Sequence, residues 1–205
     1  WYEYSGGKLT DWGAHHVDIG TWGLGKEDTG PKTIEVVKGE LPVEFKNGYP
    51  TVDDRYNTTT HFLVRATFAD GTPLEIRDDT ENGVTFQGEG GRIFVTRDRI
   101  DLSGGAVAAL YKDPVSETLL RDLRKGKPMD GHMENFFACC ADRGTPVSDV
   151  WTHHRALTTC HLANIAIRLG GRKLNWDPDK EQIVGDSEAD AMQTRPQRAG
   201  YEVTA

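Results

Sequence analysis

Five strand-length segments follow one another between residues 61 and 102 with turns and no helix between them, and this run constrains the fold more than any other feature. His61-Phe-Leu-Val-Arg-Ala-Thr-Phe68 alternates in polarity, Asp70-Gly71 is a hairpin turn signal, and Pro73 to Arg77 returns. Val84-Thr-Phe-Gln87 and Arg92-Ile-Phe-Val-Thr96 flank Gly88-Glu-Gly-Gly91, and Ile100 to Leu102 follows. Strands joined by tight turns pair antiparallel, because a parallel neighbour needs a crossover of a dozen or more residues. The β-branched segment Thr33 to Leu41 adds a strand, for a sheet of about six.

From residue 115 the periodicity turns helical, with segments near 116–124, 130–143 and 149–169. The last sets Val150, Leu157, His161 and Asn164 along one face and Leu162, Ile165 and Leu169 along another, and Gly170-Gly171 supplies its C-cap. Leu174-Asn-Trp176 and Asp177-Pro178 lead to a short acidic helix near 186–193 and a polar end. Ahead of the strands, a helix is expected from Asp11 to Leu24, with Thr10 as N-cap and Gly25 and Gly30-Pro31 as stops. Trp12 and Ile19 are expected to bury it against the sheet. Strands grouped apart from helices define an α+β class: an open, largely antiparallel or mixed sheet with helices on one face. The expected division is a substrate-binding or catalytic α+β domain over residues 1–178 and a C-terminal helix and polar tail over 179–205.

A net charge of −8 argues against nucleic acid or an anionic membrane as partner, since either needs a concentrated basic patch. The basic cluster Arg121 to Lys127 is interrupted by Asp122, Leu123 and Gly126 and reads as a solvated helix end. No apolar run approaches the roughly 20 residues of a membrane span. The sequence opens in an aromatic segment, Trp1-Tyr-Glu-Tyr4, which looks like the inside of a larger protein, so the compartment, cytoplasmic or periplasmic, stays open. Three cysteines, two of them adjacent, give no disulfide framework, and Cys139, Cys140 and Cys160 are expected as buried small apolar residues.

The segment from Ser5 to Trp22 carries the chemistry. At about 100° per residue, Asp11, His15, Asp18 and Trp22 fall in one narrow stripe of a helix. A carboxylate one turn from an imidazole can orient it and raise its basicity, as a general acid/base moving an alcohol proton requires. The same spacing also describes a plain surface pair worth a few tenths of a kcal/mol. Gly6 and Gly7 would let a ligand approach the backbone closely. His15-His16 and His153-His154, with Asp11, Asp18 and His161, match no metal-ligand spacing, so no metal is expected. Gly88-x-Gly90 joins two strands instead of opening a helix and lacks the third glycine of a dinucleotide fingerprint, so no cofactor-binding residue is expected here.

The run Gly6-Gly7-x-x-x-Asp11-x-x-x-His15-x-x-Asp18 resembles the signature that opens the C-terminal domain of Gfo/Idh/MocA oxidoreductases. The likeness continues through Gly88-Glu-Gly-Gly-Arg-Ile-Phe-Val95, the Asn135-Phe-Phe137 helix, Thr159 to Gly170, and Leu174-Asn-Trp-Asp-Pro178, and covers essentially the whole chain. The resemblance implies a dihydrodipicolinate-reductase-like C-terminal fold. It implies the substrate-binding and oligomerisation half of a bacterial dehydrogenase that moves a hydride between NAD or NADP and a sugar, inositol or related polyol. His15 then matches the general acid/base and Asp11 its partner carboxylate, with Tyr4, Gly6, Gly7 and Asp18 lining the substrate site. Two family features are missing, the Rossmann domain with its glycine fingerprint and the Glu-Lys-Pro segment that supplies a catalytic lysine. Both normally lie upstream. The partners implied are the N-terminal Rossmann domain of the same protein and further copies of the chain across the sheet. The isolated chain is expected to be inactive. Some members are redox-assisted glycosidases, so the net reaction stays open. Two other classes remain: a non-catalytic binding or assembly module, and a metal-dependent hydrolase or lyase using the His/Asp stripe.

Overall fold

A computed structural model describes residues 1–105, 117–127 and 131–203. The expected positions 116 and 130, at the starts of two helices, and the tail residues 204–205 lie outside the described residues. The chain divides into two compact units, residues 1–81 with 155–205 and residues 82–154.

The first unit is built on a five-stranded antiparallel sheet. β1 (Thr33–Glu40) lies between β4 (His61–Thr67) and β9 (Leu174–Asp177); β5 (Pro73–Arg77) flanks β4, and β10 (Gln182–Ile183) flanks β9. Two short strands between β1 and β4, β2 (Phe45–Lys46) and β3 (Tyr49–Pro50), form a separate small hairpin. The alternation of β4 sets one face apart: Phe62, Val64, Ala66 and the following Phe68 are buried, while His61 and Arg65 are exposed. The buried face packs on the last two-thirds of the long helix Val150–Arg168, where Leu162, Ala163, Ile165, Ala166 and Ile167 meet Ile34, Phe62, Val64, Leu174 and Trp176. This part of the helix is buried on several sides, so its apolar residues do not confine themselves to one stripe. Gly170 and Gly171 take left-handed φ of 75° and 85° and end it.

The tail supplies structure that the sequence reading missed. Leu174 to Asp177 is a strand beside β1, with Ile34 opposite Leu174, and Gln182–Ile183 closes the sheet edge. Pairs this short carry no visible period, and tertiary pairing alone makes them strands. A short helix, Ser187–Ala191, follows, capped by the Asp186 carboxylate on Ala189 N–H at 3.0 Å.

The second unit holds its own three-stranded antiparallel sheet, β6 (Val84–Gly88), β7 (Gly91–Val95) and β8 (Ile100–Ser103). Among the described residues the expected single sheet is therefore three sheets. The polar stretch Asp78-Asp-Thr-Glu-Asn-Gly83 separates β5 from β6. The helices Glu117–Leu123 and His132–Asp142 belong to this unit. The first buries none of its described residues. Lys125 and Lys127 beyond it pair with Asp149 and Asp142, as a solvated basic helix end should. In the second, Asn135 and Cys139 are buried, and the Asn135 Oδ1 accepts the Val147 N–H at 3.1 Å. Cys140 is exposed, against the expectation that all three cysteines are buried, because it lies one residue, and so about 100°, round the helix from Cys139.

Candidate functional site

The segment 1–7 is held by side chains from distant parts of the chain. Asn57, fully buried, accepts the Tyr2 N–H at 3.0 Å and gives its amide hydrogens to the Glu3 carboxylate at 2.9 and 3.0 Å. Asn164, on the long helix, donates to the Gly6 carbonyl at 3.0 Å. Arg195, in the tail, donates to the carbonyls of Glu3 and Ser5. Tyr4, between these anchors, is 87% exposed.

Gly6 and Gly7 have a structural reason to be glycine. Gly7 has φ +68°, and a Cβ there would overlap Thr58; one on Gly6 would come within 2.6 Å of the Asn164 amide and overlap Thr10. Their freedom is thus spent on the chain's own packing.

The expected single helix is two. α1 (Lys8–Asp11) and α2 (Gly13–Gly23) meet at Trp12, whose backbone stays in the right-handed helical region, so the direction persists while the hydrogen bonding restarts. The N–H groups of His15 and His16 both bond the Trp12 carbonyl, at 3.1 and 2.9 Å. Thr10 is not the N-cap: it lies buried inside α1 and its hydroxyl donates back to the Gly7 carbonyl at 3.1 Å.

The buried face also differs from the expected one. Leu9, Thr10, Gly13, Val17, Gly20 and Thr21 point inward, while Trp12 and Ile19 stand at the surface. The helix docks through its small residues. A Cβ on Gly13 would sit 2.5 Å from Cys160 Sγ, and one on Gly20 would touch Leu74 at 3.4 Å. A reading weighted to large apolar side chains looks for the wrong stripe when close approach is what is needed.

On the opposite side, Asp11, His15 and Trp22 are exposed and Asp18 is half-buried. Asp11 and His15 share this face, and no hydrogen bond or ion pair joins them. The Trp12 ring stands edge-on to His15 at 6.1 Å and tilted against His16 at 5.2 Å, so one indole buttresses both imidazoles. This neighbour escaped the sequence reading, although its position next to the stripe was the available signal.

A second polar group lies at the strand ends. Asp78, nearly buried, accepts the Phe62 N–H at 2.7 Å and faces His61 Nδ1 at 2.8 Å. Burial works to raise its carboxyl, but these two contacts outweigh it and hold the group below the usual carboxylate range. On the long helix, burial pushes the Cys160 thiol up to about 12. His153 bonds the Ser148 hydroxyl, and His154 stands edge-on to Trp151 at 6.4 Å.

Among the described residues no group of three or more His, Cys, Asp or Glu is placed to hold a metal ion, and no helix is long and apolar enough to cross a membrane. Comparison with known families matches residues 1–203 to the C-terminal alpha/beta domain of an oxidoreductase family. Comparison with curated proteins gives no match.

Proposed function

This chain belongs to the Gfo/Idh/MocA oxidoreductase family as its C-terminal alpha/beta domain, and on that footing we propose that it is the substrate-handling half of a dehydrogenase acting on a sugar, inositol or related polyol. The observation that carries the reading is one exposed helical face, directly after a pinned glycine turn, that bears Asp11, His15 and Asp18. The family generally uses NAD(P). Nothing described here suits that cofactor: every strand pairing is antiparallel, and the glycines at 88–91 turn a hairpin, whereas a dinucleotide crevice needs parallel strands and a glycine turn opening a helix. We therefore assign the nicotinamide, which supplies the hydride chemistry, to an N-terminal Rossmann domain of the intact protein.

This chain's share is proton handling and positioning. An alcohol gives up a hydride from carbon only as its hydroxyl proton leaves, and a hydroxyl is a weak acid. His15, exposed and buttressed by Trp12, takes that proton. Asp11, one turn earlier on the same face, is its partner carboxylate in this reading. Tyr4 borders the sugar, with the partly exposed Gly7 turn beside it. We propose also that the intact protein associates with further copies through the open face of the five-stranded sheet.

The test uses the intact protein. His15→Ala should lower kcat by about 10²–10⁴-fold, the typical contribution of a positioned base. Asp11→Asn should lower kcat while preserving the fold. Cofactor affinity should barely change in either. His16→Ala, about 100° round the helix, should leave turnover nearly unchanged. Equal damage from His16→Ala and His15→Ala in folded variants would refute the assignment of the base.

A further inference from the structure

The tail residue Arg195 makes contacts that the reading above does not use. Its guanidinium donates to the carbonyls of Glu3 and Ser5, two residues apart, and lies 5.9 Å from the Tyr2 ring centre. Arg168 also lies over the Tyr2 ring, 4.0 Å from its centre, and donates to the Gly48 carbonyl at 2.9 Å. Asn57 and Asn164 hold Tyr2, Glu3 and Gly6 from the inside. Arg195 reaches the segment from the tail and bridges the carbonyls on either side of Tyr4. Arg198, three residues on, turns instead to Tyr201, 3.8 Å from its ring centre.

We propose that Arg195 is a positioning residue: a strap from the C-terminal tail that fixes the conformation of residues 3–7, and with it the exposed Tyr4 and the start of α1. The assignment rests on the dehydrogenase reading for its catalytic consequence. Its structural half stands on the geometry. Charge-assisted hydrogen bonds to carbonyls are among the stronger contacts a side chain makes. A planar fork spanning two of them restrains the backbone between them in a way one ammonium cannot. The strap touches no reacting atom. Its loss therefore loosens substrate without disturbing the cofactor.

The experiment compares Arg195→Ala, Arg195→Lys and Arg198→Ala in the intact protein by hydrogen exchange and by steady-state kinetics. Arg195→Ala should speed amide exchange across residues 3–8 by about ten-fold or more, as loss of a charge-assisted contact predicts, with exchange in β1 and β4 unchanged. Substrate KM should rise by a similar factor, with cofactor affinity unmoved. Arg195→Lys should fall between, and Arg198→Ala should match wild type in both measurements. Unchanged exchange at residues 3–8 in Arg195→Ala would overturn the strap. Faster exchange with unchanged KM and kcat would overturn its role in substrate positioning. Wild-type protein that turns over no sugar or polyol with either nicotinamide would sink the dehydrogenase reading instead, and the exchange measurement would still decide the strap.

Discussion

Cys160 and Cys140 both sit on helices and differ in exposure. Cys160 is fully buried against Gly13, and its thiol is pushed up to about 12, so it holds almost no thiolate at neutral pH. Cys140 is exposed. A thiol reagent at pH 8 should therefore modify Cys140 in the native protein and reach Cys160 only after denaturation, which peptide mapping by mass spectrometry can check. Fast native labelling of Cys160 would contradict its packing. At the same scale, the shared exposed face of Asp11 and His15 was legible in the sequence because four-residue spacing on a helix is enough to put two side chains on one face. Asn57, Asn164 and Arg195 were not, because their partners lie far away in sequence and no local pattern announces a hydrogen bond across the fold. Thr10 misled because a threonine ahead of a periodic run looks like a cap, while here the helix starts one turn earlier at Lys8.

Helix α2 shows what an element gains from small residues. Gly13 lets its backbone approach Cys160, and this contact belongs to a small cluster of Val17, Ala156 and Cys160 with Leu74 and Ile76 against it. Gly13→Ala should destabilise the protein by about 1–3 kcal/mol, the usual cost of overpacking, set against up to about 1 kcal/mol of helix propensity gained. Cys160→Ala added to it should restore most of the loss by removing the sulfur that clashes. Chemical denaturation of both variants measures this, and Gly13→Ala as stable as wild type would show that the approach is looser than described. The strands β1 and β4 to β8 were legible in type and nearly in extent, because alternation and Asp70-Gly71 specify a hairpin locally. β9 and β10 were not, since they exist only through β1 and each other.

The open face of the five-stranded sheet is a charged ladder. Arg65 bonds Glu75 across β4 and β5 at 2.8 Å, Arg77 reaches Glu75 at 3.7 Å and Asp79 at 2.6 Å, and Lys38 lies 3.2 Å from Glu40 on β1. If copies of the intact protein meet through this face, as we propose, their association must be electrostatic in large part. Sedimentation at tens of micromolar should find an oligomer that weakens as salt is raised, because exposed ion pairs are screened. A monomer at low salt would refute the interface. The order in which the chain is made bears on the same sheet. Thr33 at one end of β1 pairs with Thr67 on β4 and with Asn175 on β9, and the part of the long helix that covers the buried face lies beyond residue 155. A ribosome delivers β1, β4 and β5 long before it delivers β9 or that helix, with all of residues 82–154 in between. Until then, of the described elements, only the short helices α1 and α2, through Leu9 and Val17, lie against the apolar side of three paired strands. The nascent protein is for that interval a candidate for chaperone capture, and its residues from 155 onward complete the core that the first eighty begin.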